Sequence, residues 1–178
     1  IIDCLMNLPL LFWATEVTGN AVYKDAALNH LSQSRKTLIR ADNTTFHTYY
    51  FNTETGTPIR GVTAQGHSDD SCWARGQAWG IYGLALAYTY THDTGCLKDA
   101  MRLADYFLAH LPDDLICYWD LIFTEGDEER DSSACAIAIN GLLLLSSLLG
   151  VHDAKALEYR TKALAMLLEL CRNYTSAS

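Results

Sequence analysis

The sequence predicts an all-α fold, an α/α toroid with a plain helical bundle as the alternative, on three observations. Six stretches carry apolar residues at helical spacing, no β–α–β alternation interrupts them, and no Pro/Gly/Ser-rich linker divides the chain. The segments between these stretches are polar and aromatic, so successive helices joined by chemically rich loops is the architecture expected.

Residues 4–18 form the first helical stretch, its regular part beginning near Asn7, a residue suited to the N-cap, with Pro9 in the first turn. Residues 20–39 form the second, with Val22, Ala26, Leu28, Leu31 and Leu38 as its apolar stripe. Residues 71–92 form the third, for which Asp69, Asp70 or Ser71 supplies a cap. The fourth, 96–111, stops before Pro112; the fifth, 131–149, opens on the N-cap Asp131 and ends at Gly150; the sixth covers 153–172. Between the second and third, Thr45–Phe51 is β-branched and aromatic and reads as a short strand before an Asn52–Pro58 turn, with Tyr118-Trp119 a second extended stretch. Gly76, Gly80 and Gly83 line one side of the third helix with Ala87. Each glycine costs about 1 kcal/mol of helix propensity against alanine, so keeping three predicts a tight helix crossing or a ligand groove.

Composition narrows the function. Of 178 residues, 49% are hydrophobic and 19% charged, which is globular usage. A net charge of −8 with scattered acids argues against nucleic acid or anionic membranes as partners. The most apolar stretch, Ala134–Leu149, contains Asn140 and two serines and is short for a membrane span. Six cysteines show no C-x-x-C pair, so free thiols in a reducing compartment, the cytoplasm, are expected, with the periplasm an alternative because targeting signals are expected to lie outside this sequence. There is no phosphate loop, nucleophile elbow or zinc helix, and the acidic run Glu125–Glu129 lacks the residue order of a calcium loop. No cofactor and no metal are therefore expected. The chain opens on Ile1 without a methionine, and is expected to be the central part of a longer domain lacking both ends.

A few side chains stand out from this background. Asp3 is a carboxylate in the apolar opening Ile1–Trp13; it suits a general acid, or it caps a helix or pairs with a base. The densest polar cluster is Gln65–Trp79. Within it Trp73 and Gln77 share one helix face, and Arg75 and Trp79 share another. An aromatic platform beside a guanidinium suits a sugar carrying a carboxylate; equally, both tryptophans can be core and Arg75 can pair with an internal acid. His47 contacts a ligand or fills a polar niche, and Asp131 is structural.

The phrase Ile1–Leu11, the His47 strand, Gln65-Gly66 leading into Asp69-Asp70-Ser71, the Trp73, Arg75-Gly76-Gln77-Ala78-Trp79 helix and the Asp131-Ser132-Ser133-Ala134 helix start occur in this order. Together they resemble family 88 of the glycoside hydrolases, the unsaturated glucuronyl hydrolases, over nearly the whole chain and roughly half of a family member. The resemblance implies part of an (α/α)6 barrel, a six-hairpin toroid with short β stretches in its loops. It implies hydration of the C4=C5 double bond of a terminal 4,5-unsaturated uronic acid on lyase-generated oligosaccharides. It makes Asp3 the general acid/base, His47 and Gln65 polar contacts near the double bond and its water, and Arg75 a polar substrate contact. Gly61 and Thr63 then line the sugar site, Trp73 and Trp79 form its aromatic walls, and a second active-site aspartate lies outside this chain. Asp3, His47, Gln65, Trp73, Arg75 and Trp79 are expected to share one cavity.

Three alternatives stand beside that reading. They are an unsaturated rhamnogalacturonyl hydrolase, an inactive sugar-binding copy, and a helical interaction module, which would have no need of Asp3, Gln65 and Arg75 together. The 178 residues alone are expected to be inactive and poorly soluble.

Overall fold

A computed structural model describes residues 1–175. A 3₁₀ helix over Ile2–Met6 leads into α1 (Leu8–Thr18) and α2 (Ala21–Leu38). A hairpin of β1 (Thr48–Phe51) and β2 (Pro58–Val62) follows, then α3 (Ala74–Thr91), α4 (Thr94–Ala109), α5 (Ser132–Leu149) and α6 (Ala154–Asn173). The helices form three consecutive pairs, α1–α2, α3–α4 and α5–α6, and α3 packs against both α1 and α5. The odd-numbered helices thus stand side by side, each with its even-numbered partner beside it.

Local chemistry explains most boundaries. Asn20, Asp93, Asp131 and Asp153 each accept a hydrogen bond from a first-turn amide, of Val22, Gly95, Ala134 and Lys155 respectively. α1 starts at Leu8 with a proline in its first turn, but Asn7 makes no side-chain cap; it sits in the helical region, closing the 3₁₀ turn with its amide on Cys4. The start of α3 differs from expectation too. Its N-cap is Trp73, with no side-chain cap, and neither Asp69, Asp70 nor Ser71 serves. Its first amide, Ala74, instead donates to the Trp119 carbonyl (3.1 Å). The loop after α4 supplies what a cap would.

The core runs along α3, whose Ile81, Leu84, Ala85 and Ala87 are fully buried with Leu103 and Phe107 of α4, Leu142 and Leu145 of α5, and Tyr159 and Met166 of α6. The glycine stripe is a set of close approaches. A β-carbon at Gly80 would lie 2.8 Å from Leu103, and one at Gly83 2.5 Å from the β-carbon of Leu5; from the α5 side, one at Gly141 would lie 2.8 Å from Ile81. Helix backbones meet here at a spacing that a methyl would prevent. α5 is long and apolar enough to cross a membrane by length and composition, yet it packs against α3 and α6.

Two expectations need correction. On α2 the buried residues are Ala27, Leu31, Ser34, Thr37 and Leu38. Val22 is 57% exposed, and Leu28 and Ala26 are also exposed, because the face towards α1 runs through 27, 31, 34 and 38 at a regular helical step. The strand is shorter than Thr45–Phe51, and His47 lies just before it: Thr45 bridges Ile39, and pairing with β2 begins at Thr48 opposite Val62. The turn between the strands is nucleated by the Asn52 side chain, which accepts from Glu54 and Thr55 amides.

Candidate active site

The site is built on the N-terminal end of α3 by three segments that dock there. The first is the 3₁₀ helix. Its Ile2 amide donates to the His47 carbonyl (2.9 Å), and its Ile2 side chain lies 3.4 Å from where a β-carbon of Gly76 would stand. Asp3 follows, half-buried, with its Oδ2 sequestered from solvent and without a hydrogen-bond partner. Arg40 Nε and Thr45 Oγ1 share that condition, but Asp3 alone of the three is a carboxylate.

The second segment is the bend before β1. His47 is 5% exposed and its ring sits 4.3 Å from that of Trp73. Its Nδ1 accepts from the Ala64 amide (3.1 Å), which assigns the proton of the neutral ring to Nε2. Burial pushes the His47 pKa below the usual imidazole value, with the Asp3 charge opposing. The imidazole is therefore a neutral donor at neutral pH.

The third is the loop from β2 to α3. Thr63 donates its amide to Asp69 (2.8 Å) and accepts the Gly66 amide on its hydroxyl (2.7 Å), folding the chain so that Gln65 stands at the apex. Gln65 is exposed, and its side chain makes no hydrogen bond among the described residues. Gly61, in β2, seats the Phe46 ring, which a β-carbon there would strike at 2.3 Å.

On α3 itself, Trp73 is 4% exposed, and the Arg75 guanidinium lies 5.2 Å from its ring centre. Arg75 reaches Asp131 through Nε (3.2 Å) and Nη2 (3.0 Å), while Asp131, 6% exposed, also caps α5. The internal acid and the aromatic neighbour of Arg75 are both present, so the two readings of that residue coexist. Trp79, half-buried one turn on, takes no part in the ring contacts joining His47, Trp73 and Arg75.

Asp3, His47, Trp73 and Arg75 are thus brought together, and Thr63 and Gln65 are tied to them through Ala64. His47 and Trp73 are buried, and Asp3 and Arg75 are half-buried. A cavity of about 90 Å³ beside the 3₁₀ helix is lined by Ile1, Cys4 and Ser34 and by none of the other candidate residues. No group of three or more metal-ligating side chains gathers among the described residues. Sequence reasoning missed Asp120, which lies fully buried behind the loop; an aspartate inside the apolar run Ile116–Ile122 was the available signal.

Comparison with known proteins bears on this arrangement. The sequence model of glycosyl hydrolase family 88 matches residues 2–173. The unsaturated chondroitin disaccharide hydrolase of Streptococcus pyogenes serotype M1 is 46% identical over 177 residues, 99% of this chain and 44% of that protein. The crystal structure of the unsaturated glucuronyl hydrolase of Bacillus sp. GL1, responsible for the degradation of glycosaminoglycan, superposes with a TM-score of 0.96 at 45% identity, covering 99% of this chain and 47% of that one. A Streptococcus agalactiae unsaturated glucuronyl hydrolase mutant complexed with dGlcA-GalNAc6S superposes at 0.90 with 44% identity, covering all of this chain and 48% of that one. The chain spans about half the length of the relatives it matches. Its structural neighbours are (α/α)6-barrel enzymes, so its three helix pairs are pairs of such a barrel. On family match and fold alike, the chain belongs to glycosyl hydrolase family 88.

Proposed function

We propose that these residues carry the acid/base side of an unsaturated glucuronyl hydrolase, acting on oligosaccharides that end in a 4,5-unsaturated uronic acid. The observation that supports this most is Asp3, whose buried Oδ2 has no partner of its own while His47, Trp73 and Arg75 gather around the same end of α3.

In this reading Asp3 delivers a proton to C4 of the vinyl ether, leaving an oxocarbenium centre at C5. Water adds at C5 and gives up a proton to the Asp3 carboxylate, so the net change is addition of one water. The C5 hemiketal opens to a ketone, and the hemiacetal thereby freed at C1 releases the neighbouring sugar. The separation rule for paired carboxylates of ordinary glycosidases does not govern such a step, since the anomeric carbon is never attacked. His47, neutral and with its proton on Nε2, is a donor to the water or a sugar hydroxyl. The Arg75 guanidinium offers charge to the uronate, which must share it with Asp131, while Trp73, almost wholly buried, backs the His47 ring and that guanidinium.

The test is made in a chain of full family length carrying residues 1–178, with an unsaturated disaccharide as substrate and near-ultraviolet absorbance of the double bond as readout. Asp3→Asn should fold normally and lose about 10²–10⁴ of the rate. Loss of the double bond at the wild-type rate in that variant, or glycosidic cleavage with the double bond intact, would end the proposal.

A further inference from the structure

The loop carrying Gln65 has no helix or strand to hold its apex, and the Gln65 side chain makes no hydrogen bond among the described residues. Its placement is therefore a matter of backbone, which His47 and Thr63 hold at Ala64 and Gly66 and which one buried carboxylate holds beyond the apex, at His67. Asp120 is fully buried, and its carboxylate accepts four hydrogen bonds from three separate pieces of chain. Oδ2 takes the His67 amide (2.9 Å) and the Ser71 hydroxyl (2.7 Å); Oδ1 takes the Cys72 amide (3.1 Å) and the Ile122 amide (3.1 Å). Gly66 fits between this carboxylate, Thr63 and Trp73: a β-carbon there would lie 3.0 Å from Asp120 Oδ2, 2.7 Å from Thr63 Oγ1 and 3.2 Å from Trp73 Cβ. The residue before Gly66 is Gln65, and the residue after Cys72 is Trp73.

We propose that Asp120 is a positioning residue of the active site, fixing Gln65 relative to Trp73 by latching the His67 amide on one side and the Cys72 amide on the other. The proposal rests on the reading of Gln65 as a substrate contact. A neutral amide at 68–72 alone would satisfy the start of α3; what a four-acceptor carboxylate adds is the tie to His67, two residues from the apex.

That tie can be cut with little else. In Asp120→Asn the carbonyl oxygen keeps Cys72 and Ile122, and Ser71 can turn its hydroxyl to accept. The His67 amide alone faces another donor and loses its partner. Displacements of about 1 Å at a contact cost up to about 10²-fold, so kcat/KM should fall about 10–10²-fold. The discriminating measurement is a double-mutant cycle with Gln65→Ala in a chain of full family length, on the unsaturated disaccharide. If Asp120 acts through Gln65, Asp120→Asn changes kcat/KM by less than about twofold once Gln65 is alanine. Hydrogen exchange of the segment around His67 should rise while that of the Trp73 segment stays unchanged. Losses that multiply instead, or exchange rising throughout the site, would show general loosening and overturn the proposal. A Gln65→Ala enzyme of normal activity would refute the site reading at Gln65 whatever Asp120 does. Should Asp120→Asn give no folded protein, Gly66→Ala runs the same cycle, since its methyl pushes the loop off the intact carboxylate from the other side.

Discussion

Along the helical body, α3 meets α5 through Gly141, Ile81 and Leu142, and meets α4 through Gly80 and Leu103, with scarcely a polar atom involved. At the loop end of the same helix the buried side chains include His47, Ser71, Asp120 and Asp131, and these four are each engaged by named donors or acceptors. Gln77 marks the passage between the two: on α3 but fully buried, it spends its amide on the Asn43 and Leu103 carbonyls. Apolar packing is non-directional and tolerates volume-conserving exchange; hydrogen-bonded burial fixes positions and tolerates almost none. The body therefore sets stability and the loop end sets geometry, and substitutions should separate the two.

The largest effect on the body comes from Leu84→Ala. The residue is fully buried, and truncation removes apolar contact and leaves a cavity, costing about 2–5 kcal/mol. Denaturant unfolding should register that loss while kcat, measured well below the new melting point, stays near wild type. A large drop in kcat at that temperature would erase the distinction between body and loop end. Asp131→Ala crosses the boundary. It removes the α5 cap and the Arg75 partner together, so about 1–2 kcal/mol of stability should go, and KM for the uronate should change as the guanidinium is released. An unchanged KM would remove Arg75 from the substrate contacts.

Acidity offers a gentler probe. Burial lowers the His47 pKa in the folded state, so the unfolded chain binds the proton more readily. Its contribution is present in full above the unfolded imidazole value, about 6.5, and is lost as pH falls through the lower folded value. Stability measured from pH 7 downwards should decline with a slope that His47→Gln reduces; an identical slope in the variant would place the titration elsewhere. The smallest effect belongs to Arg60→Ala. Its ion pair with Asp69 (3.1 Å) is largely exposed on both sides, so unfolding free energy should shift by at most about 1 kcal/mol. A larger shift would mean that loop-end contacts matter even when solvated.

The same contrast governs what could be read from the sequence. Helices α4, α5 and α6 were legible within two residues at each end, because an Asp cap and a regular apolar period are local signals. The start of α3 was not. Its capping is done by Trp119, some forty-five residues away, and nothing near Trp73 records that. On α2 the expected stripe holds at Leu31 and Leu38 and fails at Val22, Ala26 and Leu28, since Ala27 and Ser34 give less sequence signal than the exposed Val22 and Leu28. Strand β2 escaped notice because Pro58–Val62 is mostly exposed and carries no alternating pattern. At the site, His47, Trp73 and Arg75 lie in contact, and the segment carrying Asp3 is tied to the His47 carbonyl through Ile2. For Asp120 the apolar run Ile116–Ile122 signals burial, but its partners at His67 and Cys72 are some fifty residues away and leave no local trace.

Gly83 offers a handle on the acid from well inside the scaffold. Its missing β-carbon is what lets Leu5 rest against α3, and Leu5 lies two residues beyond Asp3 in the same short 3₁₀ helix. That helix also meets α3 through Ile2 at Gly76, nearly two turns closer to the helix start. Asp3 is thus carried on a two-point mount, with both feet standing where α3 has no side chain. A methyl added under one foot would tilt the mount and swing the carboxylate without touching a residue that meets substrate. Variation along the glycine line, invisible to any catalogue of active-site residues, is a route by which such a protein could be detuned or silenced while its catalytic residues remain intact.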